Sequence, residues 1–193
     1  MEIISLFIEK ALRYTFYITG GMLVTGLAAN LIIGLGQKAV SVLFPTKASR
    51  AGLIFRLFTF TGVLFHELFH ALFAILTGAA IKSIHISIKN GDGNTEVYLR
   101  GNDLMQSVQQ SVSAMGPVLG GMASVYLLCF IAYPLKQNIL YHIFIIYLAV
   151  SIFLHSDMSR HDMKVWLRGL PGFLIFLFAC CLAGLLIAYA LKQ

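Results

Sequence analysis

The feature that most constrains the fold is a series of long apolar segments separated by short stretches that contain Lys and Arg. Of the 193 residues, 59% are hydrophobic and 11% are charged, and the mean hydropathy is +0.84. A helix needs about 20 mostly apolar residues to cross the hydrocarbon core of a bilayer. We therefore predict an all-α polytopic membrane protein, one domain over residues 1–193, with five spans: Tyr14 to Gly36, Leu53 to Thr77, Val112 to Tyr133, Ile139 to His155 and Leu170 to Leu191.

The longest polar interval, residues 82–110 between the second and third spans, contains a β-hairpin pattern. Apolar and polar residues alternate through Ile84, Ile86 and Ile88, a turn signal follows at Asn90-Gly-Asp-Gly, and the alternation resumes at Val97. This pattern is typical of a hairpin. Open strands cannot face lipid, because their backbone groups would have no hydrogen-bond partner there. We predict a small membrane-associated hairpin at the surface or in a protein-lined cavity.

The charged residues predict an orientation and exclude one class of partner. The net charge of +6 is spread over short segments between the spans, which fits anionic lipid better than nucleic acid. Eight Lys and Arg lie on the side of the N-terminus and the hairpin and five on the other, so the N-terminus and the hairpin are predicted to be cytosolic.

Three cysteines in apolar runs, without C-x-x-C spacing, predict neither disulfides nor a thiolate site. Trp166 is predicted to anchor at the membrane interface.

The second span carries three ionisable side chains within five residues: His66, Glu67 and His70. On a helix, residues i and i+4 project from one face, so both imidazoles can reach a single zinc ion. Glu67 is offset from that face and fits the base that takes a proton from the attacking water. An ionisable residue near the bilayer centre costs on the order of 2.5–3.5 kcal/mol, so the cluster requires a function or partners. A structural cluster that pairs helices is the second interpretation.

Two histidines leave a need for a third ligand, because catalytic zinc commonly has three protein ligands and one water. The candidates lie after the fourth span: His155, Asp157, His161 and Asp162. A solvated, charged helix end is the competing interpretation of this segment. The second and fourth spans run in the same direction, and the two motif histidines lie ~10–16 Å deeper than the end of the fourth. To bring Asp162 to the depth of the histidines, the segment would have to fold back into the membrane. This requirement slightly favours Asp157 as the third ligand.

Together these motifs resemble the site-2 protease family of intramembrane zinc metalloproteases, in a compact form. HELFHALFAILTGAAIKSIHI is similar to the family's H-E-x-x-H helix, which leads into a glycine-containing turn and a membrane-associated hairpin. SAMGPVLGG resembles the family's A-G-P-x-x-N helix at Gly116 and Pro117, although Gly120 stands where the family has Asn. The usual L-D-G motif is absent. LHSDMSRHDMKVWLRGL instead resembles the variant motif of some small bacterial relatives, a Ser-x-x-Asp followed by an apolar residue and Lys. In this alignment Ser159 matches the Ser of the motif and Asp162 matches its ligand Asp.

The resemblance implies a Zn²⁺ cofactor held by His66, His70 and Asp162, with Asp157 as the alternative third ligand. It also implies peptide-bond hydrolysis at or within the membrane, with Glu67 as general base, on membrane protein or peptide substrates. The compact design suits a bacterial cytoplasmic membrane. The alternative function is a metal-binding membrane protein without proteolysis, either a transporter or an inactive relative. A carrier needs ligands but no base, so Glu67 favours hydrolysis.

Substrate contacts are predicted on the hairpin and on the third span. An edge strand can pair with an extended peptide through main-chain hydrogen bonds. A simple connector is the competing interpretation of the hairpin. The predicted substrate-binding residues are therefore Ile84, Ile86 and Ile88 on the hairpin, with Gly116 and Pro117 beside the metal site.

Overall fold

The computed structural model describes residues 2–43, 50–87, 92–135 and 138–191. In chain order its elements are α1 Glu2–Leu43, α2 Arg50–Leu76, β1 Ala80–Ser87, β2 Asp92–Tyr98, α3 Asp103–Tyr126, α4 Ile139–Phe153 and α5 Arg160–Ala190. A π-helical segment, Leu127–Ala132, and a short 3₁₀ turn, Tyr133–Leu135, continue α3. In the described ranges, four stretches are long and apolar enough to span a membrane: Ile4–Gly36, Leu57–Leu76, Asp103–Leu135 and Arg160–Ala190. The predicted class, a helical polytopic membrane protein with a small hairpin, is confirmed.

The fourth predicted span, Ile139 to His155, corresponds to a helix that is short for a membrane span. Helix α4 has 15 residues, so it is ~22 Å long and shorter than the ~30 Å hydrocarbon core. It ends at Phe153, and residues 154–159, which we call the link, lead into α5 at Arg160. Helix α5 thus begins well before the predicted Leu170. The polar segment is not the solvated end of α4, because it forms the link and the first turns of α5.

A capping box fixes the start of α5. The hydroxyl oxygen of Ser159 accepts a hydrogen bond from the backbone N–H of Asp162 at 3.1 Å, and the Asp162 carboxylate accepts from the backbone N–H of Ser159 at 3.0 Å. The reciprocal pair satisfies two donors that a helix N-terminus otherwise leaves without partners. The same bonds fix the direction of the Asp162 side chain.

Helix α3 lies against both α2 and α5 and carries the centre of the core. A buried cluster there combines Ala114, Met115 and Val118 of α3 with Met158 of the link and Trp166 of α5. Trp166 is only 2% exposed, so the prediction that it anchors at the membrane interface was wrong. The early start of α5 places this side chain against α3 instead.

Glycines allow α3 to approach α2 and the link closely. A Cβ at Gly116 would lie 2.6 Å from the carbonyl oxygen of Phe69, and a Cβ at Gly120 would overlap the Phe69 ring. A Cβ at Gly121 would overlap the side chain of Ser156 in the link. Helix α3 therefore lies directly against the link and against the turn of α2 that contains Phe69 and His70.

The predicted hairpin is present as an antiparallel pair, with Ile84 opposite Thr95 and Ser87 opposite Asp92. Residues 88–91 lie outside the described residues, so the first half of the predicted turn is not covered. Its second half differs from the prediction, because Asp92 and Gly93 belong to β2. Gly93 lies where β2 comes close to Glu67 of α2.

The base of the hairpin is closed by a buried glutamine of α3. The Gln109 side-chain amide donates to the carbonyl oxygen of Thr77 at 3.1 Å, and its oxygen accepts from the backbone N–H of Arg100 at 2.8 Å. Gly78 and Gly101, with φ of 87° and 86°, form the turns at the exit from α2 and the entry to α3. These conformations favour glycine because it lacks a Cβ. The two ends of the hairpin are thereby held together beside α2.

Candidate metal centre

Three potential metal ligands from two helices converge at one point. His66 and His70 lie one turn apart on α2, and Asp162 reaches them from the first turn of α5. The two Nε2 atoms are 3.2 Å apart, and carboxylate oxygens of Asp162 lie 3.5 Å from Nε2 of His70 and 4.0 Å from Nε2 of His66. Ligand atoms ~2.0–2.2 Å from one tetrahedral ion lie about 3.3–3.6 Å from each other. The spacing of the three side chains therefore suits a single metal ion.

Backbone carbonyls set the tautomer of both imidazoles. Nδ1 of His66 is 2.7 Å from the carbonyl oxygen of His155, and Nδ1 of His70 is 2.8 Å from that of Ser113. A carbonyl oxygen can only accept, so each Nδ1 carries the proton and donates it. In the neutral ring, Nε2 then presents a lone pair. Two such lone pairs and a carboxylate face one point, and a cation there would satisfy all three.

The remaining contacts of Asp162 hold its carboxylate towards the histidines. Oδ2 accepts the capping bond from Ser159, while Oδ1 is the oxygen nearer to His70. The side chain is 12% exposed. Its position at a helix N-terminus further favours a negative charge, because the exposed N–H groups carry partial positive charge there.

The other predicted candidates for a third ligand do not join this group. Among the described residues, the cluster with metal-binding spacing consists of His66, His70 and Asp162, and Asp157 is not a member. His155 contributes its carbonyl oxygen to His66, and its ring Nδ1 lies 3.1 Å from the carbonyl oxygen of Ser151. The short α4 brings the link beside α2, which removes the difference in depth that favoured Asp157.

Glu67 lies between the two histidines in sequence and is held by the hairpin. Its side chain is 4% exposed, and Oε2 accepts a 2.6 Å hydrogen bond from the Thr95 hydroxyl of β2. A Cβ at Gly93 would lie 2.5 Å from Cγ and 2.6 Å from Oε1 of Glu67. Strand β2 therefore lies over the glutamate, and the glycine provides the room for this contact.

A cavity of about 730 Å³ opens beside the three ligands. Its walls come from α2, α3, α5 and the hairpin, and they include the consecutive residues 93–99. Successive side chains of a strand point to opposite faces, so a consecutive run along one wall indicates that the cavity follows an edge of β2. The other edge of β2 pairs with β1.

Two hairpin residues in the cavity wall form an ion pair. The Lys82 ammonium lies 2.8 Å from a carboxylate oxygen of Glu96, and this hydrogen bond lowers the pKa of Glu96. Both side chains are largely exposed, so the pair contributes little to stability. It does place one charge of each sign beside the cavity.

Most of the predicted substrate-binding residues lie away from this cavity. Ile84 and Ile86 lie on β1 and do not line it, although Ile86 borders a smaller cavity at the hairpin. Ile88 lies outside the described residues. Gly116 and Pro117 are buried in α3, with Gly116 against α2. The residues of α3 that do line the large cavity are Gln110, Ser113 and Ala114.

Three residues that shape the site were not identified from the sequence: Gly93, Thr95 and Ser113. Gly93 was assigned to the turn, although a glycine within a strand pattern is also a signal for close approach by another group. Thr95 and Ser113 have no such signal. Their contacts with α2 arise only from the tertiary positions of the hairpin and α3.

The fold and the site define a class: a helical membrane protein with two histidines and one carboxylate grouped beside a buried glutamate. A family model described as Peptidase M50B-like matches residues 37–192. The chain belongs to this family, and the predicted relationship to site-2 proteases is confirmed. Membership supports, at the family level, an intramembrane metalloprotease. No curated protein and no solved structure matches the chain.

Proposed function

We propose that the protein is an intramembrane zinc metalloprotease that hydrolyses peptide bonds of membrane-embedded or membrane-associated substrates. The observation that carries this proposal is the convergence of His66, His70 and Asp162 next to the buried carboxylate of Glu67. Family membership supports the same function at a coarser level.

The donor set fits zinc. Two imidazoles and one carboxylate bind zinc in several hydrolases and Fe(II) in some oxygenases. The adjacent Glu67 favours hydrolysis, because an oxygenase or a metal carrier needs no general base at that position. When bound, the zinc ion would polarise the scissile carbonyl and lower the pKa of a water to near 7. The hydrogen bonds from Nδ1 to the carbonyl oxygens of His155 and Ser113 leave both Nε2 atoms available to bind such an ion.

Glu67 is the proposed general base and acid. It would take a proton from the attacking water and later deliver it to the leaving amine. Thr95 orients the carboxylate by donating to Oε2, and Gly93 lets the strand lie close enough for this bond.

The proposed peptide-binding element is the cavity-facing edge of β2. A transmembrane helix hides its backbone in its own hydrogen bonds, so the substrate has to be extended before a carbonyl can reach the metal ligands. Strand addition would hold such an extended peptide through main-chain bonds. The cavity wall formed by residues 93–99 supports this arrangement. The proposed substrate contacts are therefore made by the β2 backbone and not by the isoleucines of β1.

The test combines metal analysis with cleavage of single-span model peptides in liposomes. We expect about one zinc per purified chain in the parent and in Glu67→Gln, with cleavage products only for the parent. A folded parent that takes up no zinc when zinc is supplied would contradict the metal site. Zinc without cleavage by the parent would instead support the non-proteolytic metal-binding alternative.

A further inference from the structure

Helix α1 makes a two-point contact with the link through one polar side chain. Asn30 lies in the apolar run LAANLII. Its Oδ1 accepts from the backbone N–H of Met158 at 2.8 Å, and its Nδ2 donates to the carbonyl oxygen of Met158 at 3.1 Å. One side-chain amide thus satisfies both backbone groups of a residue 128 positions away in the sequence.

The contacted residue lies between the two parts of the link that serve the metal ligands. Upstream, the carbonyl oxygen of His155 accepts the hydrogen bond from His66. Downstream, Ser159 directly follows Met158 and forms the capping box with Asp162. Met158 itself is 4% exposed and belongs to the buried core cluster. Displacing its backbone would move both supports of the metal group.

Three other polar contacts of α1 stay within that helix. Thr15 and Thr25 donate to carbonyl oxygens of their own helix, and Arg13 pairs with Glu9. The contact of Asn30, in contrast, joins α1 to the link. In an apolar environment, link backbone groups without such a partner would be costly to bury.

We propose that Asn30 is a positioning residue for the metal centre, which fixes the link and through it Asp162. Helix α1 then takes part in metal binding in addition to anchoring the chain. Asn30 lies outside the stretch matched by the family, residues 37–192. The inference rests on the proposed metal site, and its experiment measures zinc affinity without any substrate.

The experiment is a zinc competition titration with a chelator on detergent-purified protein. Asn30→Leu removes both hydrogen bonds and keeps a side chain of similar size. We expect its zinc affinity to fall about 10-fold or more, as is typical for the loss of a partner that orients metal ligands. Thr25→Val is the matched control on the same helix, because the Thr25 hydroxyl donates to the carbonyl oxygen of Gly21 within α1. The zinc affinity of this variant should equal that of the parent.

A double-mutant cycle tests whether Asn30 acts through the Asp162 segment. Asn30→Leu should weaken zinc binding less in an Asp162→Ala background than in the parent, because the part of its effect that acts through Asp162 is already gone. Equal losses in both backgrounds would overturn the proposal. A lower thermal midpoint of Asn30→Leu with unchanged zinc affinity would also overturn it, since that result describes helix packing alone.

The outcomes separate this inference from the proposed function. A parent without zinc rejects the metal site itself. A parent that binds zinc, with Asn30→Leu equal to Thr25→Val, rejects only the positioning role. If Asn30→Leu does not fold, Asn30→Ala removes the same two bonds with less bulk and is held to the same expectation.

Discussion

At the residue scale, each ionisable side chain of the candidate site is oriented by a hydrogen-bond partner, and for three of the four that partner comes from another part of the chain. His66 donates to the link and His70 donates to α3, so their metal-facing nitrogens are fixed in direction. Asp162 is held by its own helix cap, and Glu67 by Thr95. Such supporting partners commonly decide how well a metal site performs. Substitutions of these supporting partners are therefore the most informative ones.

Thr95→Val tests the partner of the proposed base. The substitution keeps the shape of the side chain and removes the hydroxyl that donates to Glu67. A hydrogen bond to a charged group is worth about 1.5–3 kcal/mol, and ~1.4 kcal/mol in an activation barrier changes the rate tenfold. We expect kcat on a model peptide to fall at least ~10-fold while zinc content stays the same.

The control for this substitution is Thr77→Val, because the Thr77 hydroxyl donates to the carbonyl oxygens of Phe73 and Ala74 in the last turn of α2. Its kcat should match the parent. Equal rates for Thr95→Val and the parent would remove Thr95 from the mechanism, and loss of zinc in Thr95→Val would mean that the threonine supports the metal ligands instead.

At the element scale, the free edge of β2 is the part of the hairpin that proline can test. Backbone N–H groups of a strand point alternately to its two edges, and proline has no N–H. In a proline scan over residues 94, 96 and 97, which leaves Thr95 and its bond to Glu67 in place, positions whose N–H pairs with β1 should break the hairpin, while the others should keep it and slow peptide cleavage. Cleavage rates, with hydrogen exchange as the report on pairing, distinguish the two sets. Unchanged rates in every variant with an intact hairpin would make the hairpin a connector.

The sequence was informative about the elements whose pattern is local. The histidine spacing on α2 and the alternation of the hairpin are visible in single segments, and both elements are present in the structure. The early start of α5 also had a local signal, because Ser159-x-x-Asp162 has the spacing of a capping box. The basic residues that follow Asp162 favoured the competing interpretation, a solvated helix end. Hydropathy alone does not reveal that α4 is too short to cross the membrane and that the link after it lies beside α2.

The contacts made by Asn30 and Thr95 could not be read from the sequence. Each joins residues far apart in the chain, over 128 and 28 positions, and their formation depends on how α1 and the hairpin pack. A lone Asn in an apolar helix does signal a polar contact between helices. The sequence does not specify the partner of that contact.

At the scale of the whole molecule, the candidate metal centre connects elements from most of the chain. The proposed ligands join α2 to α5, the carbonyl oxygens that orient the histidines come from α3 and the link, and the proposed role of Asn30 adds α1. A bound ion would therefore act as a cross-link within the helical bundle. Ligand binding to the native state alone raises its stability by mass action, so occupancy should be visible in the unfolding of the entire protein.

We expect zinc to raise the thermal midpoint of the detergent-purified protein in a concentration-dependent way. At a free zinc concentration 100 times Kd the stabilisation is ~2.7 kcal/mol, which corresponds to roughly 5–10 °C for a chain of this size. The measurement is a thermal melt of chelator-treated protein with increasing zinc, and Mg²⁺ serves as the control for unspecific ion effects. Asp162→Ala should lose most of the zinc-dependent rise, whereas Asp157→Ala should keep it. The opposite pattern would reassign the third ligand to Asp157, and a midpoint that zinc leaves unchanged in the parent would mean that the convergent side chains only pair helices.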